Sequence, residues 1–154
     1  MDLLDRRLTS LMSAVLLSSC SAASDITAYE PLVGVVPVAV SLQTTHNIPL
    51  NGLPRLRITP IAHGVDAVWE TGTMGCLIQS ATAARAGTVI EITLERRGNP
   101  LADCAAVTIG ERYAARVSGL DVGHFEVRFV DKFMDQPAHE IGRSVVIVSA
   151  YAPD

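Results

Sequence analysis

The chain has 154 residues, 49% of them hydrophobic, and a formal net charge of −4 at pH 7. This length is typical of one domain and allows a hydrophobic core without a structural metal. There is no basic excess, and no Lys/Arg cluster is larger than a pair such as Arg96–Arg97, so the chain lacks the phosphate-neutralising surface that nucleic-acid binding needs. These values argue against nucleic acid as a partner.

The first 19 residues have the pattern of an export signal. Arg6–Arg7 precede the apolar stretch Leu8–Leu17, which is too short to span a bilayer and runs into Leu17-Ser18-Ser19-Cys20. This pattern resembles the lipobox of bacterial lipoproteins. The resemblance implies that the leader, residues 1–19, is removed and that Cys20 carries a lipid. The alternative is an ordinary secretory leader cut near Ala22–Ala23, which would leave a soluble periplasmic protein.

Lipidation at Cys20 predicts a location at the cell envelope. The lipobox resemblance also implies the periplasmic side of the outer membrane in a Gram-negative host, because the residue after Cys20 is Ser21 and not Asp. Because no second long apolar run follows, membrane attachment would rest on the lipid alone. Residues 20–30 are predicted to form a tether, because the stretch from Ser21 onwards is small and polar, and residues 31–154 are predicted to form the domain.

Short β-prone runs separated by turn residues fill the rest of the chain. Turn-forming stretches such as Arg97-Gly98-Asn99-Pro100 lie between them. This spacing predicts an all-β sandwich or barrel with no helix. The eight runs are Val33–Leu42, Arg55–Ala62, Ala67–Thr71, Cys76–Ala84, Thr88–Arg96, Arg112–Val117, His124–Val130 and Ser144–Tyr151.

Alternation with period 2 is clearest in three of these runs and predicts which side chains form the core. Charged residues between them, such as Glu91 and Glu95, are expected to meet water. The run Val145–Val148 is apolar on both sides, so it is predicted to be covered within the molecule or, alternatively, by another chain. The predicted core residues are Ile90, Ile92, Leu94, Tyr113, Ala115, Val117, Phe125, Val127 and Phe129.

The cysteines divide into an anchor and a pair. If Cys20 carries lipid, Cys76 and Cys104 remain together in an oxidising compartment, where disulfides persist. We predict a bridge between them. It would close a loop of about 28 residues and contribute about 3–4 kcal/mol by the chain-entropy argument. The alternative is two free thiols that pack as small apolar groups.

The second half of the chain resembles a known group of proteins. The segments Gly75–Ile78, Val89–Leu94, Tyr113–Val117 and Leu120–Val127 follow one another with Cys104 between the second and third. This order resembles bacterial lipoproteins with an immunoglobulin-like or fibronectin-III-like domain, over about residues 64 to 151. The resemblance implies an Ig-like β-sandwich of about seven to nine antiparallel strands with the Cys76–Cys104 bridge. It implies no reaction, because a sandwich hosts many functions.

No constellation of catalytic or metal-binding residues is recognisable, so neither a cofactor nor a metal is expected. Asp131, Asp135 and His139 have a spacing that would align them on a helix, but Pro137 indicates a loop. There is no Gly-x-Ser-x-Gly nucleophile motif. The four histidines are scattered without a metal-binding pair: His46, His63, His124 and His139.

Exposed apolar residues are expected in the connection Asp131–Gly142, which is long for a β-hairpin. It contains Phe133 and Met134. Because loops at the end of a sandwich display binding residues, we predict that these two side chains contact a partner. The alternative is that Phe133 folds back and caps the core.

Together these features predict a non-enzymatic cell-envelope lipoprotein that binds or supports an envelope protein. The alternative is a small periplasmic hydrolase or metal-dependent enzyme built on the same sandwich, which would require a cleft where histidine and carboxylates converge. A third interpretation is a periplasmic metal carrier that uses histidine and methionine.

Overall fold

The computed structural model describes residues 29–100 and 107–151. Within these ranges no helix is long and apolar enough to cross a membrane. The leader, Cys20 and Cys104 lie outside the described residues. The described ranges form nine strands: β1 (Val36–Val38), β2 (Val40–Ile48), β3 (Arg55–Ile61), β4 (Gly64–Met74), β5 (Leu77–Ala86), β6 (Val89–Gly98), β7 (Thr108–Ser118), β8 (Gly123–Phe133) and β9 (His139–Val148).

The strands form two sheets that pack as a sandwich. The five-stranded sheet has the order β1-β5-β6-β8-β9, and the four-stranded sheet has the order β2-β7-β4-β3. This confirms the predicted fold class, an all-β sandwich consistent with an Ig-like architecture. All described neighbours are antiparallel except β6 and β8, which run parallel with Ile92 beside Phe129. They are parallel because β7, which lies between them in sequence, crosses to the other sheet.

Alternation along the strands builds the core. All nine predicted core residues are buried, and they pack against Val65, Ala67 and Trp69 of β4. The Trp69 ring lies 5.8 Å from the ring of Tyr113 and 5.9 Å from that of Phe129, measured between centroids. Each large apolar side chain buried in this way contributes about 1.5–3 kcal/mol relative to leaving it in water.

The first predicted run divides into two strands that belong to different sheets. Val33–Leu42 is interrupted at Ala39, so that β1 pairs with β5 and β2 pairs with β7. Pro37 lies in the short strand β1 at the edge of its sheet, where a missing backbone N–H is tolerated.

The expectation that Val145–Val148 is covered within the molecule is wrong for its outward side. Val146 and Val148 are buried in the core, but Val145 is 72% and Ile147 is 60% exposed. The reason is that β9 is an edge strand, and no described segment lies over the outer face of its sheet at that point.

Glu91 also differs from expectation, because it is buried although it points outward. The hydroxyl of Tyr29 donates a hydrogen bond of 2.6 Å to its carboxylate. Partial burial, then the hydrogen bond to Glu91, raises the pKa of Tyr29 above its ordinary value. Tyr29, the first described residue, therefore contacts the outer face of the five-stranded sheet.

Candidate functional site

One end of the sandwich has a polar interior, which we call the polar end. The turns β4–β5 and β8–β9 lie there, together with the end of β6 and the start of β7. Beyond the apolar core, the same period-2 alternation continues and places charged side chains between the sheets. Arg96 follows Leu94 by two positions and Asp131 follows Phe129 by two, while Glu111 precedes Tyr113 by two. Arg96 is 6% exposed, and the two carboxylates are each 1% exposed.

Arg96 is held by three hydrogen bonds. Its Nε and Nη2 donate to the two carboxylate oxygens of Asp131 at 2.9 and 2.6 Å, and its Nη1 donates to Thr73 Oγ1 at 3.1 Å. Burial alone lowers the pKa of Arg96, but the ion pair with Asp131 outweighs it, and the pKa lies above its ordinary value. The guanidinium therefore stays charged, and the bidentate geometry fixes its plane.

Three aromatic rings surround the same guanidinium. Arg96 Cζ lies 4.8 Å from the ring centroid of Trp69, 5.7 Å from that of Tyr113 and 4.8 Å from that of Phe133. The negative faces of aromatic rings stabilise a cation at such distances. Phe133 is half-buried and covers Arg96 from the outer side.

A second buried cluster of hydrogen bonds is centred on the carboxylate of Glu111. One of its oxygens accepts a hydrogen bond from the Tyr113 hydroxyl, and the other lies 2.6 Å from His46 Nδ1. Burial and then the bond to Glu111 raise the pKa of Tyr113, so this phenol keeps its proton. The His46 side chain is 54% exposed, so the cluster reaches the surface only through the imidazole.

Two open clefts flank the β8–β9 connection. The larger, about 580 Å³, is lined by Met134 together with charged residues of β6, β8 and the turn. The smaller, about 310 Å³, lies between Arg96 and Phe133 on one side and Gly72–Met74 with Thr108 on the other. Phe133 and Met134 therefore each line one of two neighbouring clefts.

The connection itself is shorter than the sequence indicated. Strand β8 continues to Phe133 and β9 begins at His139, with Asp131 beside His139, so residues 134–138 form the turn. The backbone N–H of Met134, a residue with φ of 51°, donates to the Arg96 carbonyl at 2.7 Å. The ring of Phe133 over Arg96 favours the alternative in which this side chain folds back. The partner-binding role of the two residues stays a prediction.

Only one of the two cysteines predicted to form a bridge lies within the described residues. Cys76 is exposed in the turn between β4 and β5 at the polar end, with φ of 66°. Cys104 lies outside the described residues, as does the predicted anchor Cys20. The bridge and the lipid therefore stay predictions.

The sequence did not identify Arg96, Glu111 or His46 as functional residues. The sequence signal that could have identified Arg96 and Glu111 is the period-2 alternation of their strands, which assigns both residues to the inward face. Asp131, considered above as a metal ligand, is engaged by Arg96 instead. Among residues 29–100 and 107–151 no group of three or more His, Cys, Asp or Glu is placed to hold a metal ion.

Neither a family model, nor a curated protein, nor a solved structure matches the chain, so its function is inferred from this geometry.

Proposed function

We propose that this chain is a non-enzymatic binding module of the cell envelope, attached to the membrane by a lipid on Cys20, and that its polar end binds a protein partner. The observation that carries the proposal is the placement of Phe133 and Met134 in two adjacent open clefts, above the fixed Arg96–Asp131 pair. The leader sequence supports the compartment, and the clefts support the binding role.

The composition of the larger cleft favours a protein over a small ligand. Glu95 forms ion pairs with Arg97 at 2.6 Å and with Lys132 at 3.0 Å, and all three residues line the cleft around Met134. Hydrogen bonds from Arg97 and then from Lys132 hold the pKa of Glu95 below its usual range. An apolar side chain ringed by solvated charges is the usual anatomy of a protein interface, with an apolar centre and a polar rim.

The buried network beneath gives this surface a fixed shape. Phe133 rests on a guanidinium whose position is set by Asp131 and Thr73, so little side-chain freedom remains to be lost when a partner binds. A preorganised contact of this kind raises affinity, because the side chain is already ordered in the free protein and loses little conformational entropy on binding.

The enzymatic alternative has one specific observation in its favour, the contact between His46 and Glu111. The buried carboxylate can orient the imidazole, as in a general-base pair. However, both Glu111 oxygens are already bonded and shielded, so only His46 can reach a substrate. Hydrolysis of p-nitrophenyl esters by the purified protein, abolished by His46→Ala, would support this alternative.

Site-specific cross-linking in living cells tests the binding proposal. A photo-cross-linking amino acid at the exposed position Gln136, in the turn of the polar end, is expected to trap one reproducible envelope protein. The matched control is the same probe at Val122, which is 62% exposed at the opposite end of the sandwich. Identical products from both positions, or none from Gln136, would overturn the proposal.

The anchor is tested separately by fractionation and mass spectrometry. The wild-type protein is expected in the membrane fraction with a lipid mass on the peptide that begins at Cys20, and Cys20→Ser is expected to be soluble or unprocessed. A wild-type protein that lacks the lipid mass would contradict the anchor without affecting the binding site.

A further inference from the structure

The outer face of the four-stranded sheet carries an ordered array of charged side chains. Residues paired across β3, β4 and β7 form three rows that run across the strands. The first row is Arg55, Glu70 and Arg112. The third row is Thr59, Asp66 and Arg116, next to Ser41 of β2. Between them lies a row of a different kind.

The first and third rows are closed ion-pair rows. Arg55 and Arg112 bind the two oxygens of Glu70 from opposite sides, with shortest distances of 2.6 Å each. The hydrogen bond from Arg112, assisted by Arg55, holds the pKa of Glu70 below its usual range. Arg116 binds Asp66 in a bidentate manner, with both bonds at 2.7 Å. These rows therefore form two walls of paired charges on the outer face of the sheet.

The middle row forms the floor of a groove. It consists of Arg57, Val68 and Ala114, followed by Gln43 on β2. Because the valine and alanine side chains are short, two hollows of about 200 and 110 Å³ open between the walls. Neighbouring strands lie about 4.8 Å apart, so four strands make a groove roughly 14 Å long. We call it the sheet groove.

The sheet groove is cationic on an acidic protein. Its walls and floor hold four arginines, Arg55, Arg57, Arg112 and Arg116, against two carboxylates, Asp66 and Glu70. The whole chain has a net charge of −4. Within the described residues Arg57 has no carboxylate partner, whereas each of the other three is engaged in an ion pair. The guanidinium fork of Arg57 is therefore available for an anionic ligand.

We propose that the sheet groove binds the uronic acid units of an acidic glycan. The Arg57 guanidinium would bind the carboxylate in a bidentate manner, as guanidinium forks do. The apolar floor of Val68 and Ala114 fits the C–H face of a sugar ring. Gln43, Ser41 and the wall carboxylates offer donors and acceptors for hydroxyl groups. The length of the groove matches about two or three sugar units.

This inference does not depend on the protein partner proposed for the polar end. The groove lies on a sheet face and the clefts lie at the sandwich end, and they share no lining residue. The groove also lies on the opposite side of the sandwich from Tyr29, where the tether meets the domain. A membrane-attached domain would thus leave the groove open on the side away from its tether.

Titration calorimetry on the purified full-length mature chain tests the proposal. The probe is tri-galacturonate at about 0.1 M ionic strength, where charges more than about 10 Å apart are largely screened. Maltotriose is the neutral control, acetate the simple anion, and glucose 6-phosphate the phosphate alternative. Only tri-galacturonate is expected to bind measurably.

Three variants separate the groove from general electrostatics. Arg57→Gln is expected to weaken tri-galacturonate binding about tenfold, because a charge-assisted bidentate contact is lost. Ala114→Leu, which fills the floor without changing charge, is expected to weaken it similarly. The matched control Arg143→Gln removes a charge from an exposed arginine on the other sheet and should change affinity less than twofold. Melting temperatures confirm that each variant is folded.

Several outcomes would overturn the proposal. These are equal losses in Arg57→Gln and Arg143→Gln, unchanged binding by Ala114→Leu, binding of acetate as tight as that of tri-galacturonate, and preference for glucose 6-phosphate. No binding by the wild-type chain would overturn it too. None of these results bears on cross-linking at the polar end.

Discussion

Arg96 and Asp131 form a bidentate ion pair between β6 and β8, the only neighbouring strands of the described sheets that pair in parallel. Asp131 stands beside Leu94 in the register, two positions along β6 from Arg96. Parallel strands cannot be joined by a tight turn, so their register has to be set by contacts formed at a distance in sequence. The buried pair provides such a contact, because a shift of β8 would leave both charges without partners.

Removing one partner of this pair is expected to be costly. Asp131→Ala leaves the Arg96 guanidinium buried and uncompensated, and we expect a loss of about 3–5 kcal/mol in the free energy of unfolding. The double variant Arg96→Met/Asp131→Ala should lose clearly less than the sum of the losses in Arg96→Met and Asp131→Ala, because it removes both charges. Urea unfolding followed by circular dichroism measures these values.

The control for this experiment is Asp121→Ala. Asp121 pairs with Arg85 at 3.2 Å, but its side chain is 84% exposed, and surface pairs contribute about 0–1 kcal/mol. Additive losses in the double variant would contradict the view that Arg96 and Asp131 act as a unit.

The raised pKa of Tyr113 predicts that the free energy of unfolding decreases at high pH. In the unfolded chain the phenol releases its proton near pH 10, whereas the native pKa is raised by burial and by Glu111. The native state therefore holds more protons in this range, so the free energy of unfolding falls as pH rises above about 10. Tyr113→Phe should show a shallower decline between pH 9.5 and 11.5 in thermal melts.

The same substitution should also cost stability at neutral pH. Without the hydroxyl, one oxygen of the buried Glu111 loses its donor, which is worth about 1–3 kcal/mol. The control is Tyr151→Phe, since Tyr151 is 82% exposed. An unchanged alkaline slope in Tyr113→Phe would contradict the assigned pKa direction.

The sequence was sufficient to predict which residues of individual strands face inward. Ile90, Ile92 and Leu94 alternate with polar neighbours, and alternation follows directly from backbone geometry. The pairing of β6 with β8 could not be predicted in this way, because it depends on which sheet β7 joins. The split of Val33–Leu42 at Ala39 had no local signal either.

The polar end was missed for a related reason. A charged residue normally marks the solvent side of a strand, so Arg96 was not assigned to the interior although it follows Leu94 by two positions. Its partner Asp131 lies 35 positions away, and Glu111 lies 65 positions from His46. Compensation of a buried charge is visible only when both partners are placed in space.

Phe133 and Met134 are expected to differ in stability effects. Phe133→Ser removes a ring that covers Arg96, and we expect a loss of about 1–2 kcal/mol, since cation–π contact and apolar burial are both reduced. Met134→Ser should cost less than Phe133→Ser, under about 1 kcal/mol, because Met134 is half-buried at the wall of an open cleft. Chemical denaturation compares them, and the in-cell cross-linking yield from Gln136 should fall in both variants. Equal stability losses would contradict the separate placement of the two side chains.

The predicted Cys76–Cys104 bridge is tested by intact mass before and after reduction. Reduction should add the mass of two hydrogens, and Cys76→Ser should lower the free energy of unfolding by about 3–4 kcal/mol under oxidising conditions. Under reducing conditions the variant and the wild type should be nearly equal. A wild-type mass that does not change on reduction would contradict the bridge.

Strand β9 provides a test of whether its outer face is used by another chain. Ile147 is 60% exposed and Val146 is 5% exposed, although they are neighbours. Ile147→Lys is expected to change the free energy of unfolding by less than about 0.5 kcal/mol, whereas Val146→Lys, which buries a charge, should cost more than about 3 kcal/mol. Because exposed apolar edge strands promote association, Ile147→Lys should also reduce any concentration-dependent self-association seen by light scattering. If Ile147→Lys were as destabilising as Val146→Lys, the outer face of β9 would have to be buried in the protein in solution.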